Sequence, residues 1–119
     1  MKLGQAMIFV NDTGRMQAFY EALGLHVIDG DAADGFVRLA DPAGGAILAL
    51  HATKAADPGG PPRVDTAIKL CFQIDDVDRE RAVLVARGVT MRDVHRFESI
   101  EFCDGIDPEG NIFQITTRS

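Results

Sequence analysis

The 119-residue chain reads as an α+β protein built from two copies of one βαβββ unit, and three observations carry that reading. The first is an internal repeat. Val10-Asn11-Asp12 is echoed 64 residues later by Ile74-Asp75-Asp76, and at the same offset Gln5, Gly24 and Leu25 meet Lys69, Gly88 and Val89. Self-similarity at a fixed offset means two structurally equivalent halves. The second is a pair of matching turns, Asp41-Pro42-Ala43-Gly44 and Asp107-Pro108-Glu109-Gly110, displaced by two further residues as a small insertion would do. The third is patterning: each half alternates short apolar stretches with one helical stretch.

Taken in order, residues 5–10 are apolar enough for a buried strand. Asp12 or Thr13 caps a helix in which Met16, Phe19, Tyr20 and Leu23 keep helical spacing, and Gly24 suits the position just past its end. Residues 25–28, 35–40 and 46–50 supply three strands, punctuated by Gly30 and the Asp41-Pro42 turn. Asp57-Pro58-Gly59-Gly60-Pro61-Pro62 continues neither a helix nor a central strand, so residues 52–63 read as a linker. The second half repeats the order, with a strand over 66–74, a helix over 77–87 and strands near 90–96, 99–104 and 111–117. One domain of two modules follows, about 1–51 and 64–119.

Composition narrows the function classes. Apolar residues make up 46% and charged residues 25%, an ordinary globular balance. No apolar run is long enough to span a bilayer, and the N-terminal residues lack a secretory pattern, so a cytoplasmic protein without membrane association is expected. A formal charge of −6 repels phosphate backbones and argues against nucleic acid as a partner. Cys71 and Cys103 each lie in apolar stretches and read as free thiols. Trp is absent, which limits stacking platforms for a large aromatic ligand.

Val10-Asn11-Asp12, Phe19-Tyr20 followed by Leu23-Gly24-Leu25, Ile74-Asp75-Asp76-Val77 and Asp107-Pro108-Glu109-Gly110-Asn111 together resemble the vicinal oxygen chelate superfamily. This is the group of glyoxalases, bleomycin-resistance proteins and extradiol dioxygenases. The resemblance runs almost the full length and implies an open, cupped mixed sheet, a homodimer, and a small-molecule ligand in the cup. In metal-bearing relatives, four side chains from the first and last strands of the modules hold a divalent ion. Carried over residue by residue, those positions hold Gln5, Leu48 or Ala49, Lys69 and Gln114. Gln5 is tolerated in some glyoxalases, Gln114 is a poor substitute for a carboxylate, and Leu48 or Ala49 has no donor atom. Lys69 is worse than a vacancy, because an ammonium has no lone pair and repels a cation. No metal or other cofactor is therefore expected.

Alternation places Gln5 and Met7 on one face of the first strand and Lys69 and Cys71 on the corresponding face of its repeat, with Gln114 on the closing strand. With Glu101, these six are the candidate ligand-binding residues. The leading expectation is metal-free binding or sequestration of an antibiotic or metabolite, with no catalytic residue assigned. One alternative is a lyase or isomerase that uses Lys69 as base or a displaced metal site made by Gln5, His51 and Glu101. Another is a structural or regulatory partner without a ligand. For Lys69 the plain expectation is an ion pair with Glu101 or extension to solvent. His51 reads as a strand-end residue at the start of the linker, and His26 and His95 as strand residues beside loops.

Overall fold

A computed structural model describes residues 1–119, and the chain divides into two compact units, Met1–Pro61 and Pro62–Ser119. The first contains β1 (Gln5–Val10), α1 (Thr13–Ala22), β2 (His26–Asp31), a 3-10 turn (Ala32–Asp34), β3 (Phe36–Ala40) and β4 (Ile47–Ala52). The second contains β5 (Leu70–Gln73), α2 (Val77–Ala86), β6 (Thr90–Phe97), β7 (Ile100–Ile106) and β8 (Ile112–Thr116). Each unit is one βαβββ module with an open four-stranded mixed sheet. The strand orders are β1-β4-β3-β2 and β5-β8-β7-β6, parallel only at β1–β4 and β5–β8.

The repeat extends to the helix ends. The Asp12 carboxylate accepts from Arg15 N at 2.9 Å, and Asp76 accepts from Arg79 N at 3.1 Å. Each cap satisfies one of the N–H groups that a first helical turn leaves without a partner, a contribution of about 1 kcal/mol. At the other end, Gly24 N bonds Glu21 O while Leu25 N bonds Tyr20 O; Gly88 N bonds Val85 O while Val89 N bonds Leu84 O. These are Schellman closures, and Gly24 and Gly88 adopt the left-handed φ values of 106° and 87° that such closures require.

Each helix covers one face of its own sheet. In the first module Met16 and Tyr20 of α1 are buried together with Val10, Val37, Leu39, Leu48 and Leu50. In the second, Val77 and Leu84 of α2 are buried, as are Cys103, Phe113 and Ile115, and Phe72 meets Phe113 edge-on with ring centres 6.1 Å apart. The face of each sheet turned away from its helix is the open face.

Two strand boundaries need correction. β4 does not stop at residue 50: Val10 of β1 pairs with Ala52, and Phe36 of β3 with His51, so both neighbours carry the strand onward and His51 lies within it. β5 does not start at residue 66. It begins at Leu70, because Ile112 N, which a longer ladder would use, already donates to Thr66 Oγ1 at 3.3 Å. Residues 52–63, read as the linker, are tied down near both ends. Asp57 N donates to Asn11 Oδ1 at 3.1 Å in the first module, and Arg63 N donates to Glu109 O at 2.7 Å in the second.

Candidate functional site

Strand alternation decides which side chains reach each open face. In the first module Met7 of β1 pairs with Ala49 of β4, which pairs in turn with Arg38 of β3. Leu48 instead pairs with Leu39 in the buried layer, so position 49 is the one equivalent to Gln114, which pairs with Cys71 and Asp104. A methyl group therefore stands where the family's first-module carboxylate would be. Gln5 accepts from Arg38 Nε at 3.1 Å, and the Arg38 guanidinium lies 3.5 Å from Asp29.

In the second module Lys69 donates to Asp104 Oδ2 at 2.8 Å, while Gln114 Nε2 donates to Asp104 Oδ1 at 3.0 Å. Lys69 and Gln114 thus meet on one carboxylate, that of Asp104. Burial pushes the Asp104 carboxyl up. The hydrogen bonds from Lys69 and Gln114, with the charges of Lys69 and Arg92, outweigh that push and hold it below the ordinary carboxylate range. Since β7 follows β3 in the repeat, Asp104 and Arg38 occupy matching positions. The two modules answer the same geometric question with opposite polarity: acceptor and cation in one, cation and carboxylate in the other.

Neither cluster suits a divalent ion. Zinc, nickel, iron or manganese needs several lone-pair donors about 2 Å from one point. Lys69 and Arg38 have no lone pair to give, and the one carboxylate beside Gln114 is already committed to Lys69. No group of three or more His, Cys, Asp and Glu side chains is gathered as a metal site would require. The displaced alternative fares no better. Gln5 stands opposite Ile47 and His51 opposite Phe9, four residues along β1, or about 13 Å. His51 is also held by its own surroundings, with Nδ1 2.7 Å from Ala52 O and its ring between Phe9 and Phe36 at centre distances of 5.6 and 5.8 Å.

Glu101 is not the partner of Lys69. It meets Arg96 Nε at 3.0 Å, at the end of β7 away from Asp104, and Arg96 also pairs with Asp78. Those two acids raise the Arg96 guanidinium above its ordinary value, with Asp78 the larger influence. Cys71 is exposed and free beside Gln114, whereas Cys103 is buried, donates to Arg92 O at 3.1 Å, and has its thiol pushed up by burial. Met7 and Phe9 stay 42% and 52% exposed on the first open face, so large apolar surface remains available to a ligand.

Of the six sequence candidates, Lys69, Cys71 and Gln114 meet on one face, Gln5 and Met7 share another, and Glu101 belongs elsewhere. Arg38 and Asp104 were missed. A charge at alternating position in each apolar β3 or β7 stretch, aligned by the Asp-Pro turns, is the signal that finds them.

The Glyoxalase/Bleomycin resistance protein/Dioxygenase superfamily model matches residues 2–115. No curated protein matches the chain by sequence. Among solved structures, TnmS3, an antibiotic binding protein from a Streptomyces species, is 21% identical with a TM-score of 0.78, covering 100% of this chain and 97% of its own. The bleomycin resistance determinant encoded on transposon Tn5 is 18% identical with a TM-score of 0.72, covering 100% and 99%. Lactoylglutathione lyase from Agrobacterium tumefaciens is 20% identical with a TM-score of 0.74, covering 97% and 92%. At these identities the structures share the fold, and the family model spans nearly the whole chain. The chain belongs to the Glyoxalase/Bleomycin resistance protein/Dioxygenase superfamily.

Proposed function

We propose that the protein binds a small organic molecule on its open sheet faces without a metal ion. The observation that carries this reading is the mutual satisfaction of the polar groups at the family's ligand positions. Lys69 and Gln114 each bond Asp104, and Arg38 bonds Gln5 and pairs with Asp29. An ion entering either cluster would have to displace a cation from its partner. Apolar side chains remain open beside them, Met7 and Phe9 in the first module, and an apolar surface with a few placed polar groups is how small-molecule sites are built.

The antibiotic-binding and bleomycin-resistance descriptions of two structural neighbours favour sequestration over turnover. A lyase or isomerase, the description of a third neighbour, would have to break the Lys69–Asp104 pair before Lys69 could act on a substrate. The protein works in the cytoplasm as a homodimer in this reading.

Elemental analysis after incubation with nickel, zinc, iron(II) and manganese tests the metal-free half. The expected result is far less than one ion per chain, and one tightly held ion per chain would overturn it. Thermal-shift screening of antibiotics and metabolites in chelator tests the binding half. A saturable rise in melting temperature is expected, since a ligand that binds only the folded state stabilises it.

A further inference from the structure

The first module's open face carries a row of rings at the end of β1 away from Gln5. Phe9 of β1, His51 of β4 and Phe36 of β3 lie side by side in register. The imidazole stands 5.6 Å from one phenyl ring and 5.8 Å from the other, tilted by 52° and 62°. From this row we infer that His51 determines ligand specificity, its Nε2 accepting a hydrogen bond from a phenol or an aromatic N–H whose ring packs against Phe9. This inference rests on reading the open face as a binding surface, and it adds the ligand's chemical class and the atom that selects it.

The backbone decides which ring nitrogen carries the hydrogen. His51 Nδ1 lies 2.7 Å from Ala52 O, and a carbonyl oxygen can only accept, so Nδ1 is the donor. A neutral imidazole has one N–H, which leaves Nε2 with its lone pair. Nε2 sits on the other side of the ring from that bond, and no group of the chain bonds it. The carbonyl is fixed in its turn. Ala52 pairs with Val10, its N–H donates to Gly35 O at 2.7 Å, and Thr53 N donates to Val10 O at 3.0 Å. His51 itself is exposed, so the acceptor stands open at the face.

The charged side chains of this row and the next have partners of their own. Asp31, opposite Phe36, accepts from Ala33 N at 2.9 Å. Beside it β2 bulges between Val27 and Asp29, as β6 does between Met91 and Val94, and Asp29 comes opposite Arg38, with which it pairs. A ligand at the row therefore meets rings, the Met7 side chain and one lone pair. That lone pair accepts from O–H or N–H and repels ether, ester and carboxylate oxygens, which have only lone pairs to offer. The second module has no such acceptor. Its matching row is Gln73, Thr116 and Phe102, and Thr116 Oγ1 donates to Glu101 O at 3.2 Å and accepts from Arg118 N at 3.1 Å.

Magnetic resonance of the full-length protein tests this at about pH 8, above the ordinary imidazole range. The ring nitrogen shifts of His51 should place the hydrogen on Nδ1, and a hydrogen on Nε2 would overturn the inference. The probes are p-cresol and indole, with 4-methylanisole and N-methylindole as counterparts that keep the ring and lose the donor. Both donors should move the His51 ring and the Met7 and Phe9 signals saturably, and bind about fivefold more tightly than their methylated counterparts, the usual size of one net hydrogen bond. His51→Phe keeps a ring and removes the lone pair, so it should abolish that preference while the methylated compounds bind as before. Its unchanged amide shifts in the second module will verify the fold. Equal binding within each pair, or a preference that survives His51→Phe, would overturn the role of His51 and leave the face standing as a binding surface. No saturable shift at Met7, Phe9 or Phe36 with any of the four compounds would overturn both.

Discussion

Asp104 shows how much one side chain decides here. Its carboxyl, held down chiefly by Lys69 and Gln114 against the effect of burial, has a lower pKa folded than unfolded. Such a group stabilises the fold above its unfolded value, near pH 4, and that contribution is lost as pH falls through the folded value. Lys69→Met should therefore cost about 1 kcal/mol near neutral pH, a modest figure because the Lys69 side chain is 40% exposed. The gap to the unaltered protein should narrow as acid protonates Asp104. Chemical denaturation at about pH 7 and about pH 3 measures it, and an equal loss at both would show that the ion pair is not responsible. The sequence marked Lys69 and Gln114 but not their partner. Asp104 sits on β7, two strands from β5 in the sheet, and only the order β5-β8-β7 brings it within reach of Lys69 across Gln114.

At the scale of elements, local chemistry was legible wherever it was written in consecutive residues. The Asp12 and Asp76 caps, the Gly24 and Gly88 closures and the Asp-Pro turns were all readable because each is fixed within five residues of chain. Strand ends were not, since β4 is lengthened by β1 and β3 and β5 is shortened by a threonine hydroxyl. The proline-rich stretch read as the linker is irregular backbone that is nonetheless anchored, by Asp57 N to Asn11 Oδ1 and by Arg63 N to Glu109 O. Gly110 tests that anchor. Its φ is 85°, and a Cβ there would collide with the Arg63 backbone. Gly110→Ala should destabilise the protein by more than about 1 kcal/mol, because it unseats the segment that carries Arg63. An unchanged thermal midpoint would mean that this crossing is not what holds Arg63.

At the scale of the whole molecule, the repeat supplies two open faces, each with a polar cluster beside apolar side chains. Met7, Phe9, Val27 and Ile28 in the first module are each more than a third exposed, which is costly surface for a lone chain to show to water. Sedimentation at micromolar concentration should find a homodimer, and a monomer throughout would leave that surface to ligand alone. The family and the two-module plan were legible because they depend on the order of many weak motifs spread over the chain. The ligand's chemistry was not, because no motif in the chain specifies it. The paired bulges bear on how such a protein changes over time. An extra residue in an edge strand is a socket whose occupant can be exchanged without moving the register of the ladder, and Ile28 and Arg92 are two fillings of one socket. Side chains at positions 28 and 92 can therefore be exchanged while the ladders around them keep their register.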